Sequence, residues 1–433
     1  MLKHENLKIS HLGDRKFPSP QPERYGRFVR ENERVLVSPD TESGARADAE
    51  PPCFERAGPR AKLFFDPSAI ACGIVTCGGL CPGLNDVIRS LVMTLSYSYG
   101  VGRIFGFRFG FAGLSADPPA DPMRLTPDGV KRIHEQGGTI LGSSRGPQEI
   151  GEVVATLVKH DIGVLFCIGG DGTLRGASAL AAEIATRGLR IAVIGIPKTI
   201  DNDLLWVQRS FGFSTAVEKA RTAIQAAHVE AEGAWNGIGL VKLMGRHSGF
   251  IAAESCLANN DANFCLVPEV PFTLEGRGGF LELLEQRLRT KHHAVIVVAE
   301  GAGQDLLECA ETERDASGNV KLLDIGRYLH DRILDHLKDR GMATSVKYID
   351  PSYMIRSLPA IALDSEFCLI LGQHAVHAGM SGHTDMVVGF WNQRFTHVPI
   401  RAVAGQRNRI DPGGALWARV LEALGQPVSM MGS

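Results

Sequence analysis

From Ala71 onward the chain alternates short apolar runs, each closed by glycine or an acidic residue, with longer segments whose apolar positions recur every three to four residues. The runs CGIVTC (72–77), GVLFCI (163–168), IAVIGI (191–196), GIGLVKL (237–243) and AVIVVA (294–299) predict strands. Between them NDVIRSLVMTLSY (85–97), LRGASALAAEIATRG (174–188) and TAVEKARTAIQAAHVEAEG (215–233) predict helices. Strands that are apolar on both faces belong in a parallel sheet covered by helices on both sides. The expected fold class is therefore α/β, with doubly wound Rossmann-like lobes whose ligands sit beyond the carboxyl ends of the strands.

Residues 1–70 lack this texture. Runs such as SPQPER and DAEPPCFERAGPR are rich in Pro, Arg and Glu and read as an arm or wrapping extension. The segment around 270–290 and the polar stretch QDLLECAETERDASGN (304–319) interrupt the alternation, which puts a lobe boundary between residues 200 and 300. The expected division is an arm (1–70), a first α/β lobe (71–235), a second (236–400) and a C-terminal segment (401–433), with the chain free to cross between lobes. A length of 433 residues suits two lobes and an appendage, and no short internal repeat is present.

Composition narrows the function classes. With 44% hydrophobic and 22% charged residues and 49 glycines, the chain is an ordinary globular protein with many tight turns. A formal net charge of −2 gives no general attraction to nucleic acid or anionic lipid, so any bound anion must meet local donors. The nine cysteines are scattered and mostly within apolar runs, as Cys167 and Cys368 are, which reads as reduced thiols. Cys77 and Cys81 form a close pair, but no second pair or His cluster completes a zinc site. The opening MLKHENLKIS has no apolar core of a signal peptide, and no stretch approaches the ~18 apolar residues of a membrane span. A cytoplasmic location is expected.

Three strand-to-helix loops carry candidate chemistry. In CGGLCPGLND (77–86), Gly78, Gly79 and Gly83 allow close approach of an anion to the backbone, and the following helix offers unpaired N–H groups. The loop is neither a Walker A motif nor a dinucleotide fingerprint, and it also reads as a tight turn without a ligand. In IGGDGTLRGA (168–177), glycines flank Asp171, whose carboxylate suits Mg²⁺ beside a polyphosphate or, alternatively, caps a helix. In GIPKTIDND (195–203), Asp201 and Asp203 are two apart and would share a face of an extended backbone, one to accept a hydroxyl proton and one to position metal. Lys198 and Thr199 stand beside them, and the competing reading is an Asp-rich turn. Arg145 in GSSRG, Arg246 in KLMGRHSG and Arg356 in YIDPSYMIRS lie in Gly- or Pro-punctuated segments, where cations for phosphate are expected. Glu269 and Glu300 end apolar runs, either to accept sugar hydroxyls or to face water.

Taken in order, GGxxPGxN, GGDGT, PKTIDND, MGR, PE and SYxxR resemble the 6-phosphofructokinase family over about residues 70–400. LVKLMGRHSGFIA and KYIDPSYMIRS are similar to the long ATP-dependent members of plants and trypanosomatids, which also carry an N-terminal extension. The resemblance implies a homodimeric or homotetrameric glycolytic enzyme that transfers the γ-phosphoryl of MgATP to the 1-hydroxyl of fructose 6-phosphate. It assigns Gly79, Arg145, Asp171, Gly172, Thr173 and Lys198 to the donor phosphates, with Asp171 on Mg²⁺. Asp201 matches the base, with Thr199 and Arg246 beside the transferring group. Asp203, Met244, Gly245, Arg246, Glu269, Lys347, Tyr353 and Arg356 would hold the sugar phosphate. The first lobe would take ATP and the second the sugar. In this family glycine at position 172 goes with ATP and aspartate with pyrophosphate, whereas Lys198 occurs in the pyrophosphate enzymes and also in the plant and trypanosomatid ATP enzymes. Two departures stand out: Gly237 replaces an arginine that short bacterial members contribute across a subunit interface, and Tyr353 replaces a histidine.

Other classes fit less well. The NAD and lipid kinases share a GGDGT loop but would not be expected to show PKTIDND with MGR downstream. Gly142 to Gly146 formally match the G-x-S-x-G of hydrolases, but the segment runs into Pro147 instead of a long helix. A non-catalytic sugar-phosphate sensor would need no base, and Asp201 argues against it.

Overall fold

Side-chain alternation along the central strands determines which face each residue covers. In strand Ala71–Thr76, Cys72 and Ile74 enter one apolar cluster while Ala71 and Val75 enter another; in Ala192–Pro197, Ile194 and Val193 divide the same way. Each fully buried Val or Ile contributes on the order of 1.5–3 kcal/mol, and a slip of one residue would exchange the two faces. The sheet is accordingly covered on both sides, as expected for an α/β fold. The structure, a computed structural model, describes residues 7–21, 28–40, 51–307 and 320–433. Residues 1–6, parts of the arm and most of the 304–319 interruption lie outside the described residues.

The chain forms two compact units: Met1–Ile200 with Leu204–Gly212 and Ser357–Arg407, and Asp201–Asp203 with Phe213–Arg356 and Asn408–Ser433. This differs from the sequential division expected at 235/236. The long helix Phe213–Glu232 packs on strand Gly237–Leu243, so it belongs with the second sheet, and helix Ala362–Met380 returns to pack on Leu84–Met93 in the first.

The first unit contains a nine-stranded sheet in the order Arg34–Leu36, Cys53–Arg56, Arg394–Pro399, Met386–Trp391, Ala192–Pro197, Ile162–Gly169, Ala71–Thr76, Arg103–Phe107, Met123–Arg124. Its middle is parallel, and the pairs toward both edges are antiparallel. The arm therefore does more than wrap: it supplies two edge strands, and its Ser10–His11 pairs with His383–Thr384. The second unit has a parallel four-stranded sheet, Phe264–Leu266, His293–Ala299, Gly237–Leu243, Ser345–Ile349, over one core cluster that includes Leu240, Phe280, Ile296 and Leu329.

Local chemistry sets the element ends. Helix Leu84–Met93 starts at Gly83, whose φ of 99° only glycine adopts readily and whose Cβ would lie 2.7 Å from Cys368 Sγ. The helix expected to continue to residue 97 passes at Thr94 into a five-residue π turn. Among the described residues no helix is long and apolar enough to cross a membrane.

Candidate active site

In the first unit the glycine loops are tied to one another by backbone. Cys77 N–H donates to Ile168 O and Lys198 N–H to Gly169 O (both 2.9 Å), so the loops after three neighbouring strands emerge side by side. Lys198, buried, donates from Nζ to Gly79 O at 2.7 Å. The GSSRG loop joins them: Gly78 N–H donates to Ser144 O (3.0 Å), Ser143 Oγ to Gly78 O (2.6 Å) and Thr76 Oγ1 to Gly142 O (2.6 Å). Exposed Arg145 is thereby carried beside the 77–83 loop.

Asp171 is the first residue of helix Asp171–Thr186, where a carboxylate is favoured by the helix dipole. Its Oδ1 accepts from Gly405 N–H at 2.5 Å, and its Oδ2 lies 3.1 Å from Arg175 and 4.0 Å from Arg407. Gly405 and Arg407 come from a segment with no motif of its own, so the sequence offered no signal for them. Thr173 is buried, and a Cβ at Gly169 would strike its Oγ1 at 2.2 Å, whereas a Cβ at Gly172 would meet nothing within 4 Å.

The PKTIDND segment departs from expectation. Asn202 has φ 54°, in the left-handed region, so Asp201 and Asp203 sit in a turn and do not share a face of an extended strand. Asp203 is buried and its carbonyl accepts from Asn408 N–H at 2.8 Å. The chain passes from the first unit to the second at Ile200–Asp201, so Thr199 belongs to one and Asp201 to the other. Ser210 Oγ donates to Thr199 O at 2.5 Å, fixing the last residues before the crossing.

In the second unit the sugar-phosphate candidates gather at the carboxyl ends of three parallel strands. Buried Met244, Gly245 (φ 126°) and Arg246 follow Gly237–Leu243; Gly301 N–H donates to Gly245 O at 3.1 Å. Glu300 follows His293–Ala299. Burial pushes its carboxyl above the usual carboxylate range, while Arg246, Lys242 and Arg356 draw it down and Asp350 pushes it up. Those residues therefore form one electrostatic neighbourhood. Lys242, bracketed by Asp324 (3.1 Å) and Asp350 (3.0 Å), was not among the sequence candidates; a lysine inside a strand carries no motif signal. Arg356 ends helix Ser352–Arg356 with its guanidinium 4.7 Å from the exposed Tyr353 ring. Lys347 stands exposed within the edge strand Ser345–Ile349, before its carboxyl end. Glu269 is engaged locally. Its two oxygens accept from Gly249 N–H (3.0 and 3.1 Å), and Oε1 also accepts from Ile410 N–H (2.9 Å), which caps helix Phe250–Asn259.

Glycine loops after neighbouring parallel strands, a carboxylate at a helix start and cations at strand ends are the arrangement of an α/β protein that handles phosphorylated small molecules. The family model described as "Phosphofructokinase" matches residues 71–379, and the chain belongs to the phosphofructokinase family. It is 48% identical to the "ATP-dependent 6-phosphofructokinase" of Borreliella burgdorferi over 99% of both chains. It is 46% identical to the protein of the same name from Trypanosoma cruzi, over 96% of this chain and 87% of that one. The crystal structure of a pyrophosphate-dependent phosphofructokinase from Marinobacter aquaeolei superposes with a TM-score of 0.68 at 21% identity, over 83% of this chain and 92% of that one, which establishes the shared fold.

Proposed function

We propose that this chain is an ATP-dependent 6-phosphofructokinase, which transfers the γ-phosphoryl of ATP to the 1-hydroxyl of fructose 6-phosphate and yields fructose 1,6-bisphosphate and ADP in glycolysis. The observation that carries the donor assignment is the open space at Gly172, at the start of the helix that begins with Asp171. Nothing in the packing requires glycine there, so the missing side chain is best explained by a ligand.

Transfer of a phosphoryl group needs alignment, charge neutralisation and a base, and little else. Gly79, Gly172 and Thr173 offer backbone and hydroxyl groups to the donor phosphates, and Lys198 and Arg145 supply positive charge. Asp171 fits a magnesium ion: it is an oxygen donor at a strand end, with one oxygen anchored on Gly405 N–H and the other facing the exposed Arg175. Asp171 would hold the Mg²⁺, which when bound would supply positive charge to offset that of the donor phosphates. Asp201 accepts the proton of the sugar 1-hydroxyl while that oxygen bonds to the γ-phosphorus, and the bond to the leaving oxygen of ADP breaks with its electron pair. Thr199 steadies the transferring group. Arg246, Arg356, Lys347 and Tyr353 take the sugar 6-phosphate, Met244, Gly245 and Asp203 frame the sugar, and Glu269 and Glu300 accept its hydroxyls. A homo-oligomer in the cytoplasm is part of this reading. The described cysteines are free and mostly buried, which suits a reducing compartment.

A second reading, with pyrophosphate as donor, follows from the resemblance of Lys198 to the lysine of the pyrophosphate enzymes. Fructose 1,6-bisphosphate formation, followed with Mg²⁺ and either ATP or pyrophosphate, separates the two. Turnover with ATP alone is expected. Turnover with pyrophosphate alone would replace the donor, and turnover with neither would overturn the substrate.

A further inference from the structure

We propose that His228, Glu232 and His293 form a binding site for a first-row divalent transition metal, Zn²⁺ in particular, on the second unit. The site is independent of the phosphoryl-transfer reading. His228 and Glu232 are four apart near the end of helix Phe213–Glu232, which stacks them on one face with Nε2 and Oε2 3.5 Å apart. The chain then reverses through Asn236 (φ 53°) into strand Gly237–Leu243, whose first residue pairs in parallel with His293, the first residue of His293–Ala299. That register brings the His293 ring to 5.6 Å from the His228 ring, at 78° to it. One ligand atom from each of the three residues lies within 4.8 Å of the others.

The hydrogen bonding favours a ligand. His293 Nδ1 stands 3.0 Å from Lys291 O; a carbonyl only accepts, so Nδ1 carries the proton and Nε2 keeps its lone pair. A metal-bound imidazole is commonly oriented in this way, through its second nitrogen. His228 Nδ1 is buried without a hydrogen-bond partner among the described residues, so no protein acceptor fixes the tautomer of the ring. Two imidazoles and a carboxylate suit zinc with one coordination position open, and disfavour magnesium, which prefers oxygen ligands.

A second group, His11, Glu55 and His383, is as compact but differs in kind. There Glu55 Oε1 accepts from the buried Arg60 at 2.7 Å, so a fixed positive charge already serves the carboxylate. His228 instead faces the Glu232 carboxylate and the His293 ring. The metal would clip the end of helix Phe213–Glu232 to the amino end of strand His293–Ala299. Glu300 follows the other end of that strand, roughly 20 Å away, so this metal would not compete for the sugar-phosphate residues. Trp235 stacks on His292 with ring centroids 4.2 Å apart and supplies a nearby fluorescent reporter.

The test uses the full-length chain stripped of metal with EDTA and titrated with Co²⁺, read by visible absorption and Trp quenching. One Co²⁺ per chain is expected, displaced by Zn²⁺ and unaffected by millimolar Mg²⁺, with the quenching lost in Trp235→Phe. Glu232→Gln and His293→Gln should each weaken binding at least about tenfold, and His11→Gln should not. Zn²⁺ should raise Tm in the wild type and leave it unchanged in His293→Gln; metal-free Tm values check that the variants fold. Co²⁺ that binds the Glu232→Gln/His293→Gln double variant as tightly as the wild type would overturn the proposal, as would no binding at all.

Discussion

At Gly172 the proposed donor site rests on the absence of a side chain. Gly169, three positions earlier, is glycine because Thr173 leaves no room, whereas Gly172 has room to spare. Gly172→Asp is therefore expected to fold with an unchanged Tm, while kcat/KM for ATP falls at least about a hundredfold as the new carboxylate repels donor phosphate. Parallel thermal melts and assays check this; near-normal ATP use in a folded variant would remove glycine from the donor argument. Asp201 is expected to behave differently. Asp201→Ser should lower kcat by about 10²–10⁴ and leave fructose 6-phosphate affinity nearly unchanged, the pattern of a group that acts in the transition state. Steady-state kinetics with equilibrium binding of the sugar phosphate decide the matter.

Helix and strand ends explain why the candidate residues are where they are. Asp171 opens a helix, Arg246 and Glu300 follow parallel strands, and Glu269 caps helix Phe250–Asn259. The cap fixes the Glu269 carboxylate in place. Glu269→Ala should lower stability by about 1–3 kcal/mol, since the Gly249 and Ile410 N–H groups lose their acceptor. Glu269→Gln, which retains one acceptor oxygen, should lose less. KM for fructose 6-phosphate should rise in both variants; an unchanged KM in a folded variant would remove Glu269 from the sugar site. The central strands were readable because each is a short, nearly continuous apolar run, and their observed bounds differ from expectation by at most one residue at either end. The turn at Asn202 was not readable: i, i+2 spacing suits an extended strand and a turn alike, and only the φ of 54° separates them.

The first unit carries a property that involves the arm and the sheet together. Glu55, from the arm, accepts from Arg60, from His383 Nε2 (2.7 Å) and from His397 Nδ1 (3.1 Å), and lies 3.9 Å from His11. Burial would raise the Glu55 carboxyl, but the hydrogen bonds donated by His383 and His397 hold it well below its ordinary range. Burial also pushes His374, His383 and His397 below the ordinary histidine range, and His377, against Tyr99, down to about 3. All these folded-state values lie below their unfolded values, so the unfolded chain binds protons first. The histidine contribution is complete above the unfolded pKa of ~6.5 and is lost as pH falls below it; that of Glu55 follows below ~4.5. Tm is expected to be flat near pH 8 and to fall as pH drops from about 6.5 to 5, with up to about 1.4 kcal/mol per pH unit for each such histidine. His377→Gln should shallow that slope; a Tm that rises on acidification would contradict the assignment.

The sequence by itself determined the α/β class and the strand-end glycine loops, because buried strands and glycine turns are local patterns and motif residues are contiguous. Tertiary structure alone decided which sheet each helix covers, that the arm supplies edge strands, that Gly405 and Arg407 face Asp171, and that Lys242 is bracketed by Asp324 and Asp350. These are contacts between segments far apart in the chain. They follow from strand order and helix packing, and no local run of residues encodes them.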